Sequence, residues 1–140
     1  MWFVDTGYLI ALFSPNDAHH AQALALQAQV QRERRKLLTT EAVVFEVGAA
    51  FSRVAYRAVG QAVMHTLIND SLIETTPVTP ALRDKALALF AQHQDKDWSL
   101  CDCASFAVMR ERGVTQALSA DHHFDQAGFT ALLLQEPVRR

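Results

Sequence analysis

No apolar run in this chain of 140 residues approaches 18 residues, and the first twelve lack a basic lead-in. Neither a membrane span nor a signal peptide is therefore read, and the expected location is the cytoplasm. Cysteine is scarce. Cys101 and Cys103 stand two apart in a stretch that reads as helix, where side chains at that spacing diverge. They read as small buried hydrophobes in a reducing compartment rather than as a disulfide. Glycine (5) and proline (4) are too few to form a linker, and no repeat or boundary is visible, so residues 1–140 read as one domain. Positive charge is not in excess: 13 Lys and Arg against 15 Asp and Glu give a net charge of −2. That argues against coating nucleic acid by bulk charge but leaves room for local patches. Arg32, Arg34, Arg35 and Lys36 form one cluster. Arg53 and Arg57 form an i,i+4 pair, and Arg110, Arg112, Arg139 and Arg140 add more. Any single one reads as a solvated helix end.

Half the residues are hydrophobic, and a chain of this length buries roughly 68% of its unfolded surface, enough for a core without disulfides. Short apolar runs alternate with longer helical patterns. The spacing predicts strands at Trp2 to Val4, Leu37 to Thr39, Ile73 to Val78, Thr115 to Ala120 and Ala131 to Leu134. It predicts helices over Ala18 to Arg35, Glu41 to Arg57, Ala62 to Asn69, Ala81 to Gln94 and Ser99 to Arg112, the last stopped by Gly113. Strand and helix in alternation predict an α/β fold with a central, mainly parallel sheet of about five strands and helices on both faces. Such sheets bind ligands beyond the carboxyl ends of their strands.

Four acids stand in unusual places. Asp5 closes the run Trp2-Phe3-Val4, and Asp121 closes a second apolar run in LSADHHF. Glu46 lies in VVFEVGAAF, a helical stretch too apolar for a solvent-facing stripe, which makes it half-buried or part of a functional edge. Asp102, in DWSLCDC, has a strong plain reading, with Ser99 as N-cap and Asp102 as its capping-box partner. Cap and chemistry remain equally open for it. Glu41 reads as a first-turn acid complementing the helix dipole, and Asp95 and Asp97 as loop residues. Taken singly, each Asp of the four is explained by a turn or cap. Gathered on one rim, like charges about 4 Å apart repel by roughly 4 kcal/mol at an effective dielectric near 20. They would need a cation or protons, and an all-oxygen set suits Mg²⁺ or Mn²⁺.

On FVDTGYLIAL, TTEAVVFEV, DWSLCDCASFAVM and ALSADHHFDQAGF, in that order, the chain resembles the PIN domain, a small metal-dependent nuclease fold. The resemblance is to the stand-alone kind found as the toxin of VapBC-type toxin–antitoxin pairs, and it runs from Met1 to about Leu134. It implies a three-layer α/β/α fold and a divalent-metal-dependent endoribonuclease that leaves a 5′-phosphate and a 3′-hydroxyl. Asp5, Glu46, Asp102 and Asp121 match the family's acidic quartet, with Asp5 and Asp102 as principal metal ligands and Glu46 and Asp121 completing the set directly or through water. Thr6 and Ser119 match hydroxyl positions that orient a carboxylate or a water, although strand-end hydrogen bonding also accounts for them. An RNA substrate, a homodimer and a cognate antitoxin are implied as partners. Arg53, Arg57 and Arg110 are candidates to contact RNA or an acidic partner segment.

The six histidines do not show zinc-ligand spacing, and no C-x-x-C is present. His122 and His123 border Asp121 and are given no catalytic role. DTG at 5–7 is also the aspartic-protease tripeptide, but no second copy exists and the Ala/Leu/Gln-rich helices oppose a β-rich fold. A phosphoacceptor receiver would want a Lys late in the sheet, and no lysine follows Lys96. The remaining alternative is an RNA- or partner-binding module whose acids hold a structural metal only.

Overall fold

A computed structural model describes residues 1–136. Arg139 and Arg140, named above among the basic residues, lie outside the described residues. Trp2–Val4 (β1), Leu37–Thr40 (β2), Ile73–Thr76 (β3), Gln116–Leu118 (β4) and Thr130–Ala131 (β5) join one sheet in the order β3-β2-β1-β4-β5, with every pairing parallel. β1 is central, with Phe3 in register with Leu38 on one side and Ala117 on the other. All three of its residues are buried, as a parallel strand covered on both faces requires.

The helices are Thr6–Phe13 (α1), His20–Glu33 (α2), Glu41–Ala50 (α3), Arg57–Asn69 (α4), Pro80–Gln92 (α5), Leu100–Arg112 (α6) and His122–Gln126 (α7). Right-handed crossovers put α1 to α4, which join β1 to β2 to β3, on one face. The chain then reverses direction across the sheet from β3 to β4, so α5, α6 and α7 cover the other face. The packing agrees: α1 lies on α2 and α3, α3 on α4, α5 on α6, and α6 on α7. This is the expected α/β/α architecture. Two helix faces and the sheet enclose a core that includes Phe3, Tyr8, Leu38, Val43, Val47, Phe106, Met109, Leu118 and Phe124.

Helices α1 and α7 were not predicted, and three boundaries differ from the sequence reading by more than two residues. The helix expected over Glu41 to Arg57 stops at Ala50. The chain turns at Phe51 and Ser52, passes through a 3₁₀ turn at Val54–Tyr56, and re-enters helix at Arg57. Burial of Phe51 against Gly60 drives the turn: a Cβ on Gly60 would lie 2.6 Å from that of Phe51, so glycine is what lets the two helices close. The helix expected from Ala62 therefore starts earlier, at Arg57. The last strand is shorter than expected, because Leu132–Leu134 form a 3₁₀ turn whose Leu133 amide donates to the Ser119 carbonyl at 3.1 Å. At α6 the reading holds, with Gly113 closing the helix at φ 65°.

Candidate active site

β1 and β4 are neighbours, yet the chain leaves them toward opposite sides of the sheet, β1 to β2 and β4 to β5. A crevice opens at such a reversal, at the carboxyl ends of the strands. Asp5 follows β1 and Ser119 follows β4, and the Asp5 amide donates to the Leu118 carbonyl at 3.2 Å. The cleft there has a volume of about 510 Å³, and its walls include Asp5, Thr6, Ile10, Glu46, Asp121 and His122.

Three of the four acids sit at helix amino ends. Asp5 is the N-cap of α1, Asp121 the N-cap of α7, and Asp102 the third residue of α6. The positive ends of three helices thus face one rim, which favours carboxylates and an incoming anion alike. Asp102 is both cap and site-facing acid. Its amide donates to Ser99 Oγ and its Oδ2 accepts the Ser99 amide, both at 3.0 Å, while the same Oδ2 lies 2.9 Å from His123 Nδ1. The capping box therefore orients the carboxylate rather than competing with it. Glu46 comes from the middle of α3, partly buried, and reaches the rim where α3 approaches α6, near Cys101.

Ser119 ties the two strand-end acids together. Its hydroxyl donates to Asp5 Oδ2 at 2.9 Å and accepts the Asp121 amide at 3.0 Å. Asp5 is only 7% exposed and Asp102 8%. Burial pushes the Asp5 carboxyl up to about 7; the Ser119 hydrogen bond opposes this, and the charges of Glu46 and Asp102 reinforce it. Burial likewise raises Asp102, against the hydrogen bonds from Ser99 and His123. Burial, together with Glu46 and Asp5, pushes the Cys101 thiol up, so it stays protonated. Thr6 Oγ1 is buried beside the cleft with no hydrogen-bond partner among the described residues.

These acids are short of positive charge in the way a cation site is. Asp102, Asp121 and His123 each offer a ligand atom, and those atoms lie within 4.8 Å of one another. The donor set fits a hard or borderline divalent ion. The sequence reading set His123 beside Asp121 but gave it no role. The available signal was its place two residues after a capping Asp, where the side chain folds back on the cap: its amide donates to Asp121 Oδ1 at 2.9 Å.

The arginines are not gathered with the acids. Arg110 lies near the far end of α6, over the Phe129 ring and 3.4 Å from the Ala127 carbonyl. Arg57 donates to the Ser52 carbonyl in the α3–α4 corner, and Arg53 precedes the 3₁₀ turn there. Arg35 stacks on Trp2 and pairs with Glu33, at the opposite end of the sheet from the cleft. Asp95 pairs with Lys96, and Asp97 lines a separate hollow with His93 and Trp98.

A family description for the PIN domain matches residues 2–130. The chain belongs to the PIN domain family. PIN proteins similar to it include the 23S rRNA-specific endonuclease VapC20 of Mycobacterium tuberculosis, 32% identical over 130 residues, which span 92% of this chain and 95% of the relative. The crystal structure of Mycobacterium tuberculosis VapC20, described as a sarcin–ricin loop cleaving toxin, superimposes with a TM-score of 0.83 at 28% identity. That match covers 93% of this chain and 97% of the other. FitAcB from Neisseria gonorrhoeae shares the fold, with a TM-score of 0.64 at 15% identity over 94% of this chain and 95% of that one. A parallel PIN sheet excludes the aspartic-protease reading of DTG. No helix among the described residues is long and apolar enough to cross a membrane.

Proposed function

We propose that this PIN domain is a Mg²⁺- or Mn²⁺-dependent endoribonuclease, the toxin of a toxin–antitoxin pair, with Asp5, Glu46, Asp102 and Asp121 as its cation-holding acids. The observation that carries the reading is the placing of Asp5, Glu46 and Asp121 on the switch-point cleft, with Asp102 beside Asp121 and Asp5 pushed to about 7. Carboxylates that share a rim at neutral pH are stable only when a cation or protons balance them.

A divalent ion bound there would neutralise the scissile phosphate and lower the pKa of a bound water. The chain's own residues do the rest. Asp5 and Asp102 present their carboxylates from a buried strand end and a capped helix, so neither has rotamer freedom to lose on binding. Glu46 and Asp121 line the cleft and would complete the set, directly or through water. Ser119 holds Asp5 in place, and the free Thr6 hydroxyl can hold a water or a phosphate oxygen. The helix amino ends receive the phosphate, and the products carry a 5′-phosphate and a 3′-hydroxyl.

RNA is the substrate, and the name of the relative makes the sarcin–ricin loop of 23S rRNA the first candidate. An antitoxin is the expected protein partner. A second, apolar groove of about 500 Å³ between α1, α2 and α4 is lined by Tyr8, Leu12, Phe13, Val59, Val63 and Leu72 among others. α1 lines both groove and cleft with different residues, so an antitoxin segment seated in the groove would press on the helix that carries Thr6 and Ile10. The protein is cytoplasmic in this reading and pairs as a homodimer through the exposed apolar corner around Phe45.

The test is cleavage of a sarcin–ricin loop oligonucleotide and of total RNA by wild type, Asp5→Asn and Asp102→Asn, with Mg²⁺, Mn²⁺ or chelator. Cutting that requires metal and disappears in both folded variants supports the nuclease. Metal-dependent RNA binding without cutting, at any enzyme concentration, would convert the reading to a binding module.

A further inference from the structure

His123 touches the carboxylates of two acids at once. Its Nδ1 lies 2.9 Å from Asp102 Oδ2 and 3.2 Å from Asp121 Oδ1. Its backbone amide is bound to Asp121 Oδ1, and the next residue, Phe124, is fully buried, so α7 is anchored and the ring is aimed. His122 makes a useful contrast: its ring is exposed and lies 3.9 Å from Asp125. Asp102, Asp121 and His123 thus form an oxygen, oxygen, nitrogen set within 4.8 Å.

Nδ1 faces both carboxylates, so it is placed either to donate a hydrogen bond to them or to offer its lone pair to a cation that they hold, according to which ring nitrogen carries the proton. We propose that His123 is a nitrogen donor of the cation site through Nδ1, and that the site consequently selects Mn²⁺ over Mg²⁺. Imidazole suits the borderline transition ions, whereas Mg²⁺ holds to oxygen and water. The inference rests on the nuclease reading and goes beyond its four acids.

The test needs no RNA. Calorimetric titration of the metal-free protein with Mn²⁺ and with Mg²⁺ compares wild type, His123→Gln, His123→Ala and, as a control on α4, His65→Ala. The expected result is a Mn²⁺ to Mg²⁺ affinity ratio that falls about tenfold or more in both His123 variants, and stays unchanged in His65→Ala. Electron spin-echo spectroscopy of bound Mn²⁺ should show nitrogen modulation in wild type that is absent in His123→Gln. Far-ultraviolet circular dichroism checks that each variant is folded. Mn²⁺ bound by wild type without nitrogen modulation, or an affinity ratio unchanged in folded His123→Gln, overturns the proposal and leaves the nuclease standing. Wild type that binds neither ion overturns the nuclease reading with it.

Discussion

Asp5 is where the local energetics are sharpest. Its carboxyl titrates near 3.8 in the unfolded chain and about 7 in the folded, metal-free one. Between those values the folded chain holds a proton that the unfolded chain has released, so stability falls as pH rises from about 4 to 7 and is level above. Asp5→Asn removes that slope. At pH 8 the variant should be more stable than wild type by about 2–4 kcal/mol in a denaturant titration without metal, while the proposed function expects it to be inactive. Equal midpoints would contradict the burial argument. Cation uptake needs the ionised carboxylate, so metal affinity should climb about tenfold per pH unit up to pH 7 and then flatten. Ser119 supports the same group. Ser119→Ala removes the donor to Asp5 and leaves the Asp121 amide without its acceptor. It should raise Asp5 further and cost about 10–100-fold in metal affinity, read by calorimetry.

At the scale of elements, the α3–α4 corner shows how one glycine shapes a helix pair. Phe51, just past the end of α3, packs against Gly60 of α4 and sets the turn between them. Gly60→Ala would force a methyl to within 2.6 Å of Phe51. Relief requires moving buried Phe51, so a loss of about 1–3 kcal/mol is expected, measured as a lower urea midpoint. A neutral result would mean that the corner adjusts freely. The break was poorly visible in the sequence, since VVFEVGAAFSRVAY carries no proline and its apolar residues continue past Ala50. Helix propensity is a weak prior that tertiary contact overrides. By contrast, Ser99 and Gly113 marked the ends of α6 plainly, because caps depend on residues within one turn.

On the whole molecule, the reversal of strand order between β1 and β4 makes the site. The same architecture leaves an apolar corner outside: Phe45 is 80% exposed and Val54 91%. Two copies meeting there would cover both residues. If the proposed homodimer uses this face, Phe45→Asp shifts the species from dimer to monomer in sedimentation velocity without changing the circular dichroism. If wild type is already monomeric at tens of micromolar, this face serves another purpose.

The α/β class, the parallel sheet, the ends of β1 and α6 and the four acids were legible in the residues alone. Buried strands, amphipathic helices and caps are written by neighbours a few positions apart, and the order of the four motifs carried the family. Glu46 was legible as an oddity rather than a position: its direction depends on how α3 packs against α1, α4 and α6, contacts that no local pattern specifies. The arginines read singly as solvated helix ends or as contacts for RNA or a partner, and the fold places Arg110 at the far end of α6 and the Arg53–Arg57 pair at the α3–α4 corner. His123 had no periodic signal, since α7 is five residues long, too short for a hydrophobic pattern to show. Its meeting with Asp102, 21 residues earlier in the chain, required β4, the turn after it and α6 to be in place together. Contacts of that separation are created by chain crossovers, and no local pattern encodes them.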